Sequence, residues 1–255
     1  MLVDSHCHLD APELDHDRAA VIARARAAGV TRQIVPAVEA ASWPALREVC
    51  AIEEGLFAAY GLHPMYLSSH RPDHLPALRE CIERERPVAV GECGLDYFVE
   101  GLDPTEQQRY FDGQLQLARE FELPVIVHAR RAVDAVIASI KRVGKLQGVV
   151  HSFSGSSEQA RQLWQLGFMI GLGGPVTYER ANRLRGLAAT MPLDYLLLET
   201  DAPDQPDSGI RGQRNEPARL PVVCETIAGL RGVPAEDIAL ATTRNAERLF
   251  RLPAA

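Results

Sequence analysis

The residues best equipped for chemistry open the chain. In MLVDSHCHLD, His6 and His8 stand two apart, and on an extended strand such a pair shares one face while Cys7 points to the other. Two imidazoles side by side make a claw for a divalent ion. Taken alone the pair decides little, because a histidine beside an apolar run is often a buried side chain satisfied by hydrogen bonds. The rest of the chain shifts the balance. His63 follows in GLHP, Glu92 in VGECGLDY, His128 in PVIVH, His151 in VVHS and Asp201 in LLLETDAP, each where an apolar run ends. Of the eight histidines, only His16, His70 and His74 lie elsewhere.

Imidazoles and carboxylates suit zinc and other divalent ions. Four histidines, one glutamate and one aspartate are too many ligands for a single catalytic ion that must keep a position open. The expectation is therefore two ions: one on His6, His8, Glu92 and Asp201, the other on Glu92, His128 and His151, with the two oxygens of Glu92 as the bridge. Such a pair, about 3.5–4 Å apart, can stabilise both the attacking and the leaving oxygen of a hydrolysis. Zinc, manganese and magnesium all remain open as the metal.

These side chains need elements to converge them. Short apolar runs at 2–6, 33–38, 57–61, 88–92, 124–128, 148–152, 168–172 and 195–200 read as strands. Amphipathic stretches at about 16–28, 42–54, 72–86, 104–122, 131–143, 156–166, 177–190 and 215–231 read as helices. Strict alternation of eight and eight, in a chain of 255 residues, predicts a (β/α)8 TIM-type barrel, whose catalytic groups gather at the C-terminal strand ends. The segment VPAEDIALATTRNAERLF, with Pro234 at its start and acids behind it, adds a closing C-terminal helix. A doubly wound open sheet is the alternative, but no glycine-rich phosphate loop follows the first strand.

Residues 1–255 read as a single domain, with no repeat, low-complexity tract or flexible linker. No stretch approaches the ~18 apolar residues of a membrane span, and the first residues do not read as a signal peptide. Five widely spaced cysteines without a Cys-x-x-Cys speak against a disulfide framework or a zinc ribbon. A cytoplasmic protein is expected. The net charge of -7 speaks against a broad basic surface as the sole means of holding nucleic acid, so any phosphate substrate needs local positive charge. The excess of 25 Arg over 2 Lys reads as compositional bias.

The strings DSHCHLD, GLHP, GECGLDY, PVIVHAR, HSFSG, LLLETDAP and RNEP together resemble the TatD family of metal-dependent hydrolases, within the amidohydrolase superfamily. The resemblance runs from Met1 to TTRNAERLF. It implies a TIM-type barrel, a divalent metal centre on the six residues above, and phosphodiester hydrolysis of the 3'-5' exonuclease type on single-stranded DNA or RNA ends. By the same resemblance His63 and Arg130 are phosphate contacts. Asp201 and Glu92 would be the catalytic residues, the ions activating a water whose proton Asp201 accepts. No obligate protein partner is evident. The alternative activity is hydrolysis of another ester or an amide, such as removal of an aminoacyl group from RNA; a vestigial metal-binding scaffold is a third, which the complete ligand set disfavours.

Other residues carry two readings each. Tyr97, Phe98 and Phe153 could stack on bases or simply pack the rim. Cys7 and Cys93 neighbour ligands but point away from them on a strand, and are read as inert. Arg211 and Arg214 lie in a long loop and either face a phosphate chain or are merely solvated. Asn215 and Glu216 are read as bracing that loop at a helix start.

Overall fold

The computed structural model describes residues 1–253. Eight strands, β1 Leu2–Asp4, β2 Val30–Pro36, β3 Leu56–Tyr60, β4 Ala89–Asp96, β5 Val125–Arg130, β6 Gly148–Val150, β7 Phe168–Leu172 and β8 Leu196–Leu198, belong to one sheet in the order β1 to β8. Between them run α1 Arg18–Ala27, α2 Trp43–Ala51, α3 His74–Glu85, α4 Pro104–Glu120, α5 Val133–Val143, α6 Ser157–Gln165 and α7 Asn182–Thr190, followed by α8 Leu220–Arg231 and α9 Ala235–Phe250. This parallel order with alternating helices is that of a (β/α)8, TIM-type fold, as the sequence predicts.

The chain packs as two compact units interleaved in sequence. The first takes Met1–Val35, Val49–Phe57 and the chain from Ile170 onward; the second takes Pro36–Glu48 and Ala58–Met169.

In the first unit β1 pairs with β2 (Leu2 with Val30, Asp4 with Gln33) and β7 with β8 (Ile170 with Leu196, Leu172 with Leu198). The closing helix α9 packs on β1 and β8. It starts after Pro234 with Glu236 and Asp237 in its first turn, where acids favour the helix dipole. Its buried Asn245 donates to the carbonyls of Leu193 and Leu196, and Thr243 to that of Met1. These bonds anchor the strands whose ends carry His6, His8 and Asp201.

In the second unit β3, β4, β5 and β6 pair in succession. All eight residues of β4 are buried. Gly94, at φ 143, approaches β5 so closely that a Cβ there would collide with the His128 carbonyl, so only glycine allows this contact. Helix α4 begins with Pro104 after the Asp103 cap, and two of its glutamines reach the sheet. Gln107 exchanges two hydrogen bonds with the backbone of Asp96, and Gln114 two with that of Leu62.

Several boundaries differ from expectation, four of them for a local reason. The stretch 2–6 ends as a strand at Asp4, because the next amides alternate partners: Ser5 N donates to Leu198 and Cys7 N to Ile34, which forms no ladder with either neighbour. The helices expected from 177 and from 215 begin at Asn182 and Leu220, since Gly174–Thr177 and Pro217–Arg219 form 3-10 turns instead. Strand β4 runs on to Asp96, four residues past the expected end, and so brings Asp96 into the sheet.

Candidate metal centre

In the first unit three expected ligands meet. His6 and His8, just past β1, bring their Nε2 atoms to 3.2 Å. Asp201 Oδ1 lies 3.4 Å from His6 Nε2 and 3.6 Å from His8 Nε2. These separations match the edge of a tetrahedron of donors about 2.1 Å from a central ion, which is about 3.4 Å. The donors therefore fit a divalent cation.

Local bonds set that geometry. Asp4, fully buried at the end of β1, accepts from the amide of His6, the amide of Thr200 and, at 2.5 Å, the Thr200 hydroxyl, so it ties the two ligand-bearing segments together. Burial pushes its pKa up to about 7 against those bonds. Asp201 itself takes the left-handed region at φ 57, which a short polar side chain tolerates better than most. Its amide donates to the His6 carbonyl, and Gln205 Nε2 donates to its Oδ2. Behind it the buried Asn215 donates to the carbonyls of Thr200, Asp204 and Gln205 at 2.9, 2.8 and 3.3 Å.

In the second unit Glu92 is the hub. Its Oε1 lies 2.6 Å from His151 Nε2, 3.0 Å from His63 Nε2 and 3.2 Å from His128 Nδ1. Glu92 is 2% exposed, and a carboxylate this deep stays charged only if paired. The ligand atoms of His63, Glu92 and His128 all lie within 4.8 Å of one another. His63 Nδ1 accepts from the Met65 amide at 3.1 Å, so its proton sits on Nε2, toward Glu92. Burial pushes its pKa down to about 4, against the attraction of Glu92, which keeps the ring neutral.

His128 turns its other nitrogen, Nε2, to Asp96 Oδ2 at 2.9 Å. This is the carboxylate–histidine arrangement that fixes the tautomer and orientation of a metal-binding imidazole. Burial alone would lower the His128 pKa; the bonds to Asp96 and Glu92 outweigh it and hold it above the usual value. Asp96, for its part, is penalised by burial but drawn down to about 2 by His128 and the amides of Val99 and Phe98.

The remaining expected residues divide. Tyr97 and Arg130 are exposed at the ends of β4 and β5, while His63, expected at a phosphate, is engaged with Glu92. Phe153 is buried and packs. The Cys7 and Cys93 thiols face the Ile34 and Ile126 carbonyls, and burial raises both well above the ordinary thiol value, as befits inert side chains. Arg214 is held by Asp17 and the Glu13 carbonyl, and Arg211 is exposed. Asn215 caps no helix; its carboxamide clamps the turn after Thr200, and Glu216 pairs with Arg24.

Sequence reasoning missed Asp4, Asp96 and Glu199. The first two stand inside quoted motifs, two residues before His6 and four after Glu92, where an acid on a ligand's own strand is a usable signal. Glu199 is buried beside Gly171, and an alanine Cβ there would strike its carboxylate.

The family model described as TatD related DNase matches residues 3–251. The metal-dependent hydrolase YjjV of Escherichia coli strain K12, named as uncharacterized, is 43% identical, with 98% of each chain covered. A crystal structure of that TatD homolog has a TM-score of 0.95 at 43% identity, covering 99% of this chain and 98% of its own. A protein of Pantoea vagans strain C9-1, named 3'-5' ssDNA/RNA exonuclease TatD, is 36% identical over 98% of this chain and 100% of its own length.

Proposed function

The chain belongs to the TatD family of metal-dependent hydrolases, and from that membership we propose that it is a phosphodiesterase removing nucleotides from the 3' end of single-stranded DNA or RNA. The observation that carries the reading is on β5, where Arg130 follows His128 by two residues. Residues so spaced on a strand share a face, so a cationic fork stands beside an expected metal ligand. That is where an anionic diester needs it in a chain of net charge -7. The name of the 36%-identical relative favours the same substrate.

Divalent ions, when bound, lower the pKa of a water toward neutrality and offset the charge that builds on a phosphoryl group. His6, His8 and Asp201 would hold one ion and Glu92, His128 and His151 a second; zinc, manganese and magnesium are the candidates. Asp201 Oδ1 also accepts the proton of the attacking water, while Gln205 holds Oδ2 in place. His63 keeps its Nε2 proton on Glu92 and aims that carboxylate. Arg130 grips a nonbridging oxygen with two parallel donors, and Tyr97 offers its face to the terminal base. The family model runs through segments of both compact units, which favours treating residues 1–255 as one hydrolase domain. No helix among the described residues is long and apolar enough to cross a membrane. A cytoplasmic setting belongs to the proposal and suits five free cysteines.

The test is cleavage of a 5'-labelled single-stranded oligonucleotide by metal-stripped protein with magnesium, manganese or zinc restored, alongside Asp201→Asn. The expected result is a ladder shortening from the 3' end that needs metal and is slowed by orders of magnitude in the variant. Intact DNA and RNA under every metal, with metal bound, would overturn the nuclease reading and make aminoacyl-RNA the next substrate.

A further inference from the structure

Phe98 and Arg131 have no role in the site so far. Phe98 is 44% exposed, and two guanidiniums lie against its ring, with the Arg130 carbon 3.7 Å and the Arg131 carbon 4.6 Å from the centroid. Several other exposed arginines are paired with acids: Arg24 with Glu216, Arg79 with Glu120, Arg142 with Asp112, Arg161 with Glu158. Among the described residues the side chains of Arg130 and Arg131 make neither a hydrogen bond nor a pairing with a carboxylate.

Two like charges side by side repel, and without an acid between them they form a place where an anion is favoured. The ring supplies the order. A guanidinium stacked on an aromatic face is held by the ring quadrupole, while its N–H donors, which lie in its own plane, stay available for a phosphate. Arg131 has φ 54, uncommon for a residue with a Cβ, so the chain leaves the strand direction at the second arginine.

The platform is also tied to the metal cluster. Asp96 Oδ1 accepts from the amides of Phe98 and Val99 at 2.9 and 3.0 Å, and its Oδ2 accepts from His128. The Tyr97 amide donates to the Arg130 carbonyl. One carboxylate thus fixes both an expected ligand and the loop that carries Phe98.

We propose that Arg130 and Arg131, braced on Phe98, clamp two successive phosphates of one strand, Arg130 taking the phosphodiester to be cut and Arg131 its neighbour. This rests on the nuclease reading and narrows it, because a diester with one phosphate leaves Arg131 idle. Arg131 is a specificity-determining contact, and Phe98 is a positioning residue acting through both arginines.

The test is binding of fluorescein-labelled, phosphorothioate-linked thymidine oligonucleotides with one, two or four phosphates to metal-loaded protein over a range of salt. Cleavage of ordinary oligonucleotides is followed in parallel. Wild type should bind far more tightly once a second phosphate is present. Arg131→Gln should lose that step and flatten the slope of log affinity against log salt by about 0.7, the single-strand value for one phosphate contact. Phe98→Leu should lose the step and Phe98→Tyr restore it, which a merely structural residue would not do. Arg79→Gln, removing a charge already paired with Glu120, should leave the slope unchanged. An equal affinity for one and two phosphates, or an Arg131→Gln slope no flatter than that of Arg79→Gln, would overturn the clamp. If cleavage persists in that event, the nuclease reading stands without it. A clear two-phosphate step with no cleavage under any metal would support the clamp and sink the nuclease reading.

Discussion

The two ligand clusters are built differently. In the second unit Glu92 is sealed in a strand at 2% exposure, with three imidazoles 2.6–3.2 Å from one oxygen and Asp96 bracing His128 from behind. In the first unit the carboxylate comes from a turn past β8. Asp201 and His8 have side chains 11% and 18% exposed, and the contacts are 3.2–3.6 Å. The second cluster is held by the sheet; the first depends on a loop clamp. The difference suits a division of labour, in which a fixed carboxylate anchors metal and a more open one meets water.

That contrast can be broken at several points. The largest effect is expected at Glu92→Gln, which weakens the oxygen shared by three imidazoles; turnover should fall below detection, whereas Asp201→Asn should cost about 10²–10⁴-fold, as loss of a proton acceptor does. Steady-state kinetics on a labelled oligonucleotide would check the order, and the reverse order would contradict it. Next, Asp96→Asn should lower metal affinity or activity about 10–100-fold, read by metal titration of the stripped protein; an unchanged titration would remove Asp96 from the support of His128. Smallest is Asn215→Ala, which deprives three carbonyls of their donor. Thermal unfolding should register a loss of about 1–3 kcal/mol, with activity falling only severalfold; a variant as stable and active as wild type would show that the turn holds Asp201 without this clamp.

Much of this was legible from the sequence, for physical reasons. The apolar runs stop where the polar candidates begin, so His6, His151 and Asp201 fall just past their strands and His128 two residues before the end of β5. The fold followed from the alternation. What stayed hidden depends on contacts remote in sequence or on protons. The place of the His63 proton is fixed by the Met65 amide. Asp96 looked like a residue beyond the strand until β4 extended to include it. Asn215 read as a cap because its partners, the carbonyls of Thr200 to Gln205, lie 10–15 residues back along the chain. The stack of Arg130 and Arg131 on Phe98 joins residues more than thirty apart, which no local pattern encodes.

The most direct measurement is metal content per chain, by mass spectrometry after reconstitution and dialysis, for wild type and Asp201→Asn. If each cluster holds its own ion, wild type carries two and Asp201→Asn keeps the one anchored by Glu92, His128 and His151. A single ion in wild type, or a variant that keeps both or loses both together, would contradict the account.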